Sequence, residues 1–462
     1  DLNCTSSSAT PVTIADTSSN TDWGPAGWTN GEPDGSKSVT ISSLANGQPF
    51  SLAKPNITAC SLTITVGSDV IIPSGVTLEI TNKVTSNGRL VFESGSSLIQ
   101  TTNVQNSGDI VYKRATSIRR FDLTYWSSPI TSTKQDGFMM KDLSPETLFD
   151  KYSYWSSSFK WATDLYGNME MKPGIGYSIR GPQSFSIETP AEFIGKFSGI
   201  PNNGDIPIST TADKYILIGN PYPSAIDGRK FITDNGDVGA LYFWTHVSLP
   251  KKAEGSNTYK YSSPDYAVFT LLGATRATTG GETPSGYIGV GQGFFIKPKV
   301  TSIKFNNGQR VKAENSQFFK TSAKEAAIEV NRLWLNLSNT DDAYKQILIG
   351  YAEGATNSFD YNYDAVTLAG NTYVDFYTIN EAQKLSIQAR SLPFDNTERI
   401  PLGYKSVAET QLTISIDHAD GFFNKQAVYL EDKTTGTITD LRASNYTFKT
   451  GIGTFTDRFV LR

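Results

Sequence analysis

Between Val70 and Arg120 the apolar positions recur with a step of twenty residues. Three segments stack without gaps: "VIIPSGVTLEI" from Val70, "LVFESGSSLIQ" from Leu90 and "IVYKRATSIRR" from Ile110. Val70, Leu90 and Ile110 fall in register, as do Leu78, Leu98 and Ile118, and Ser74-Gly75 returns as Ser94-Gly95. Asn87-Gly88-Arg89 likewise returns as Ser107-Gly108-Asp109. Self-similarity at a short fixed period marks units that cannot bury an apolar face alone and must stack. The glycines supply the corners, because they take positive φ without strain. The pattern predicts a short parallel β-solenoid of three or four rungs with two strands to a rung. An antiparallel meander with evenly spaced hairpins is the alternative. A solenoid this short has two open ends, each a row of unpaired backbone groups that must be capped or joined to another chain; head-to-tail self-association is one expectation and docking of the chain's own segments the other.

From Phe121 to about Lys320 the sequence can be laid over itself. "TYWSSPI" at Thr124 leads to "KYSYWSS" at Lys151 and "KPGIGYSIRGP" at Lys172. "LIGNPYPSAI" at Leu217 leads to "LYFWTHV" at Leu241 and "VGQGFFIKP" at Val290. In each half a strand ends at a proline turn, an aromatic-Trp strand follows, and a Gly-x-Gly-aromatic strand closes on a cation and a proline. Pro221 and Pro223 fix φ and lack donors, so a strand arriving through Leu217 cannot continue there. The stretch reads as a rigid turn; the other reading makes Tyr222 or Asp227 a ligand contact on an end loop. The pairs at Gly174 and Gly291 are followed by alternating strands, not by a helix whose N-terminus could face a phosphate, so they read as sites of close backbone packing. Of the tryptophans in this region, Trp161 in "SSSFKWATD" has the most polar surroundings and is the candidate for a sugar-stacking ring.

A polar stretch, "VKAENSQFFKTSAKEAAIEVN", contains the one convincing linker, and strands return from Arg332 to the end at spacings expected of a β-sandwich. "QILIGYAE" and "AVYLEDK" read as core-facing strands. The chain is thus expected to be all-β: a solenoid-like domain over residues 1–120, a duplicated sandwich-like domain over 121–320 and a C-terminal sandwich over 321–462. "LSNTDDAY" and the acidic positions Asp360 and Asp364 are solvated turns with structural calcium as the other reading, since hard cations want clustered oxygens. The EF-hand spacing is absent.

Composition narrows the class. Only 38% of residues are hydrophobic but 12% are aromatic, which suits short strands joined by polar turns and reads as extracellular. Net charge is −4, from 41 basic and 45 acidic residues, with no basic block dense enough to follow a phosphate backbone, so nucleic acid is not an expected partner. No apolar run approaches the roughly 18 residues of a membrane span. The start at Asp1 without a signal peptide reads as a processed or trimmed form. Cys4 and Cys60 are the two cysteines, giving one disulfide or two quiet thiols, and the secreted-looking composition favours the disulfide. Two cysteines with only His246 and His418 do not make a metal site without further help, and no cofactor is implied.

Together these stretches resemble the large exported surface proteins of Bacteroidetes that leave the cell through the type IX secretion system. The residues that carry the resemblance are "GWTNGEPDGSKSVTI" at Gly27, "ACSLTI" at Ala59, the solenoid rungs, "FDLTYWSSPI" at Phe121, "LIGNPYPSAID" at Leu217, "GQGFFIKP" at Gly291, "NGQRVKAENSQFF" at Asn307, "NRLWLNLSN" at Asn331, "IPLGYK" at Ile400 and "GTFTDRFVLR" at Gly453. The resemblance implies export by that machinery, then release or surface attachment. It also implies a C-terminal sorting signal, of the kind called type C, beyond the final motif; that signal is not in this sequence. It assigns no catalytic residues.

Two functions follow as expectations. The first is a non-enzymatic surface protein, an adhesin or a subunit of an extracellular fibre or coat, located outside the cell or on its outer surface and partnered by copies of itself. The second is a carbohydrate-binding module or carbohydrate-active enzyme acting on surface glycans, since two carboxylates at glycosidase spacing are invisible in sequence. A Ser-His-Asp hydrolase would need His246 or His418, and neither sits near a nucleophile elbow.

Overall fold

The twenty-residue step is realised as parallel ladders. The computed structural model describes residues 20–24, 27–42, 50–51, 56–245, 251–252, 259–260, 266–277, 281–312, 315, 330–340, 343–368 and 373–462, and the chain is nearly all β, with a solenoid and several further sheets. Leu90 pairs with Val70, Val91 with Val111 and Leu98 with Leu78, in the expected register. Each rung carries three strands, however, not the expected two. One face stacks Phe50–Ser51, Asp69–Ile72, Arg89–Phe92 and Ile110–Ile118; the second stacks Asn56–Ala59, Thr77–Ile80 and Ser97–Gln100. The third stacks Asn20–Gly24, Ser38–Ile41, Ser61–Ile64 and Val84–Ser86. Its partners Val39, Leu62 and Val84 step by more than twenty residues, which is why a fixed period missed it.

The alternation of each short strand turns Val39, Ile41, Leu62, Ile64, Val70, Ile72, Leu78, Ile80, Leu90 and Phe92 into one buried column. Burying each such side chain gains about 1.5–3 kcal/mol, but only with a rung above and below. Gly75 and Gly95 turn the corners at φ +80° and +89°, as expected. At Gly108 a Cβ would collide with the Ser86 carbonyl of the rung beneath.

The solenoid stops after Leu98, and each face is closed differently. On the first, Ile110–Ile118 does not turn a third corner, so Ile118 does not stack on Leu98 as expected. It runs on and pairs antiparallel with Ala191–Pro201, from Ile110–Gly199 to Ile118–Ala191. On the third, Asn106 Oδ1 accepts the Val84 amide at 2.9 Å and Ser107 exchanges backbone bonds with Val84 and Ser86. On the second face the edge of Ser97–Gln100 meets the proline stretch: the Leu98 amide donates to Pro223 O at 2.8 Å and Arg310 donates to Leu98 O. Asn315 Nδ2 donates to Ser96 O and to the Tyr112 hydroxyl, both at 2.5 Å, while its Oδ1 accepts the Val290 amide at 2.9 Å and its carbonyl accepts from the buried Arg114. This end of the solenoid is therefore closed by the protein's own groups, the alternative to joining another chain.

By its contacts the chain forms two compact units. The first comprises Asp1–Asn235, Tyr287–Phe294 and Thr301–Phe318. It holds the solenoid and the first copy of the repeated region, so the boundary expected at residue 120 falls inside it. There Leu123–Trp126, Tyr177–Arg180, Tyr152–Trp155 and Trp161–Asp164 form a four-stranded antiparallel sheet in that order. The two Gly-x-Gly pairs are used reciprocally. Gly176 and Gly174 exchange backbone bonds with Leu217 and Gly219 of the second proline-turn strand, and the Ser127 amide of the first donates to Gly291 O. A Cβ on Gly176 would lie 2.5 Å from Leu217 Cγ, and one on Gly293 would lie 2.9 Å from Tyr125 Cβ. Close backbone packing is thus the role of both pairs.

The second unit comprises Gly236–Gly286, Phe295–Val300 and Phe319–Arg462. Its main sheet runs, by neighbours, Thr437–Asp440, Tyr429–Asp432, Gly453–Leu461, Ile400–Ser406, Val374–Asn380, Gln383–Ser391, Tyr344–Ala352, Val330–Ser338, Thr410–Ala419 and Tyr446–Thr450. Alternate residues from both halves of this path, among them Leu335, Ile347, Ile349, Phe376, Leu402, Leu430, Phe448 and Phe459, share one core, as a sandwich requires. Within this unit Leu241–Trp244 pairs with Tyr266–Phe269 on one side and, at Tyr242, with Phe295 on the other. In the first unit Tyr152–Trp155 has the same two kinds of neighbour.

Closure of the second solenoid face makes one residue critical. Asn315→Ala leaves the Val290 amide buried without this partner, while the Ser96 carbonyl keeps the Tyr112 hydroxyl, and one such orphan costs about 1–3 kcal/mol. The variant is expected to lose about 1–3 kcal/mol in chemical denaturation. A loss below about 1 kcal/mol would show that the cap is not what holds this edge.

Candidate binding face

Among the expected site residues, Trp161 is the one presented to solvent. It opens the strand Trp161–Asp164, which pairs with Tyr152–Trp155 in the register Tyr152–Asp164, Ser153–Thr163, Trp155–Trp161. Tyr152 is buried in the core and Tyr154 packs against it, so alternation carries Ser153, Trp155, Trp161 and Thr163 to the other face. Trp155 is half-buried and pinned, its Nε1 donating to Tyr215 O at 2.6 Å. Trp161 meets its ring edge-on, with centroids 5.3 Å apart, and lies 5.5 Å from the ring of the buried Tyr125. The indole is braced by two fixed rings and is still 40% exposed.

Tyr222 is placed otherwise. It is fully buried, its hydroxyl donates to Gly204 O at 2.6 Å, and the Arg310 guanidinium lies 4.8 Å from its ring centroid. Burial raises its hydroxyl well above the usual tyrosine range. No face remains for a ligand, which corrects the expectation of a contact here. The residue belongs instead to the cap of the solenoid, where Arg310 also donates to Ser224 Oγ, Asn203 Oδ1 and Asn307 Oδ1, each at 3.1 Å. Burial lowers Arg310 only to about 10, so it stays charged at neutral pH. Asn220 fixes the same loop, donating to Ser224 O, Ile288 O and Gly289 O and accepting the Tyr222 amide. Asp227 Oδ1 accepts the amides of Arg229 and Lys230 at 2.8 and 3.4 Å, at the start of the helix Gly228–Asn235. The carboxylate is a helix cap.

Of the two histidines, His246 lies outside the described residues. His418 is on the surface of the second unit, stacked on Trp334 with centroids 4.0 Å apart, and its Nδ1 is 2.6 Å from Asp417. Asp417 also accepts from Arg276 and Asn336, so the imidazole ends a charged network. Cys60 is buried at a solenoid corner, where Asn82 Nδ2 lies 3.5 Å from its sulfur; its expected partner Cys4 is outside the described residues.

Asp341 and Asp342 of the first calcium candidate are likewise outside them. At the second, Asp360 accepts the Thr356 amide and hydroxyl, and Asp364 accepts the amides of Asp360 and Ala389 at 2.8 and 2.6 Å. These carboxylates close a loop. Among the described residues no group of three or more His, Cys, Asp and Glu is placed to hold a metal ion.

A family model described as a domain of unknown function, DUF8693, matches residues 15–462. No curated protein and no solved structure matches the chain.

Asp364 provides a test in pH. Burial raises it to about 7 against the Ala389 and Asp360 amides that bond its charged form; the Asp360 carboxylate pushes the same way as burial and Arg390 opposes. Between the ordinary carboxyl range and pH 7 the folded chain therefore holds a proton that the unfolded chain has released. Stability from this group is present below about pH 4 and lost as pH rises through 7. Asp364→Asn cannot ionise, so its deficit against the parent chain should shrink between pH 5 and 8 by on the order of 2–3 kcal/mol. A deficit unchanged between pH 5 and 8 in denaturation curves would mean that Asp364 is already ionised in the fold at pH 5.

Proposed function

We propose, for a chain that belongs to the DUF8693 family and takes no activity from that membership, a role as a non-enzymatic exported surface protein, an adhesin or a subunit of an extracellular fibre or coat. The observation that carries this reading is how the buried polar side chains are used. Asn220, Asn315, Arg114 and Arg310 bind backbone carbonyls and amides and close a scaffold. The polar groups that do chemistry in an enzyme face a cleft, whereas these four are used on the chain's own backbone. Export rests on the resemblance to type IX secretion cargo and on the polar, aromatic-rich composition. Closure of the solenoid after Leu98 favours the adhesin over a fibre that grows through that end.

A second reading, binding of surface glycans, is favoured by one observation: the braced and exposed ring of Trp161. A fixed indole loses little freedom when an apolar sugar face stacks on it.

Two measurements check the first reading. Antibody against the chain is expected to label intact cells, and label that appears only after permeabilisation would remove the surface role. Export also predicts an oxidised Cys4–Cys60 pair. Labelling of thiols in denaturant should occur only after reduction, and reduction should cost about 4 kcal/mol of stability for a loop of this length. Two thiols reactive without reduction would exclude the bridge.

A further inference from the structure

The hairpin that carries Trp161 has a second aromatic end. Exposure alternates along Trp161–Asp164, with Trp161 and Thr163 outward. The next position on that alternation, Leu165, is 54% exposed, followed by Tyr166 at 61%; Phe149, beside it, is 47% exposed. The Tyr166 amide donates to Phe149 O at 2.7 Å and their rings lie 5.3 Å apart. Tyr166 has φ +68°, a left-handed conformation that a bulky side chain adopts at a cost of roughly 1–2 kcal/mol. A large ring is thus held outward on strained backbone, where a glycine would be the relaxed choice. The register places the Ser153–Thr163 pair between Trp161 and that end, and Lys151, next in sequence to the Tyr152–Trp155 strand, pairs its ammonium with Asp150 at 2.9 Å.

We infer that this face is a track for an extended, uncharged glycan chain, with Trp161 stacking one sugar ring and the Phe149–Tyr166 pair another further along. The inference rests on the glycan reading of Trp161 and extends it to the length and charge of the ligand. Trp161 and Tyr166 are at most about 16 Å apart at roughly 3.3 Å per residue, with Trp161–Asp164 extended and a turn beyond it, which leaves room for more than one sugar ring. The face is only two strands wide, so its area is on the order of 150 Å². A stable protein interface wants about 800 Å² from each partner, and its core wants contiguous apolar surface where this one has hydroxyls. A sugar chain fits both counts: its apolar ring faces meet the aromatic ends, and its hydroxyls meet Ser153, Thr163 and Lys151. Asp150 offsets the Lys151 charge, so the middle of the track does not call for an anion.

The test uses the full chain on an array of neutral gluco-, manno-, galacto- and xylo-oligosaccharides of increasing length, printed beside uronate-containing oligomers. Binding of at least one neutral series is expected to tighten with length. Trp161→Ala should weaken short and long members alike, and Tyr166→Gly, which suits the positive φ and so keeps the fold, should weaken only the long ones. Each loss should be about tenfold, the scale of one aromatic stacking contact. Unchanged long-chain affinity in Tyr166→Gly would overturn the track and leave the single-ring reading of Trp161 standing. Preference for the uronate oligomers would overturn the uncharged class. No oligosaccharide bound at all, with the chain displayed on cells, would end both the track and the glycan reading while leaving the surface role intact.

Discussion

The constraint on which the first unit depends is that a parallel ladder has to stop somewhere. Each rung passes its backbone donors and acceptors to the next, and after Leu98 there is no next rung on the second face. Left dry, those groups would each cost on the order of 1–3 kcal/mol; left wet, they would form an edge open to another chain. The protein covers them with groups from far along the sequence: Pro223 supplies a carbonyl, Arg310 a guanidinium and Asn315 a carboxamide. Proline suits this position because its neighbours must offer a carbonyl without continuing a strand. Arginine and asparagine suit it because each can meet several irregularly placed backbone groups at once.

The duplicated region works under a related constraint. Each Gly-x-Gly segment lies against the proline-turn strand of the other copy, so neither copy completes its packing alone. Glycine is required by contact here: at Gly176 and Gly293 any Cβ would enter the opposing strand. A repeat whose halves exchange such contacts has to change in pairs, which ties the spacing of one half to that of the other.

This explains what could and could not be read from the sequence. The twenty-residue register and the corner glycines Gly75 and Gly95 were legible because they depend on near neighbours and on φ. The third strand of each rung was not, since Val84–Ser86 is three residues long and its step differs from the repeat. Tyr222 was readable as part of a rigid turn but not as buried, because what covers it, Arg310, lies 88 positions away. That Trp161 would be exposed was legible from its polar neighbours. The exposure of Phe149, Leu165 and Tyr166 was not, and the one local sign was Tyr166 before Gly167, a pair that both take positive φ.

That kink also limits how far the edge beside the exposed rings can be extended. Trp161–Asp164 is the edge of its sheet, and an edge strand with outward rings invites a further strand. Only four residues are extended, however, and the chain then turns through two positive-φ residues that no added strand could follow in register. At the other end Phe159, also at positive φ, closes the hairpin under the Lys214 ammonium, 5.6 Å from its ring. Both limits shorten the ladder without hiding the side chains. Backbone strain on either side of Trp161 therefore separates two properties that a longer, flatter strand would couple: rings that a ligand can reach, and a backbone edge that another chain could extend.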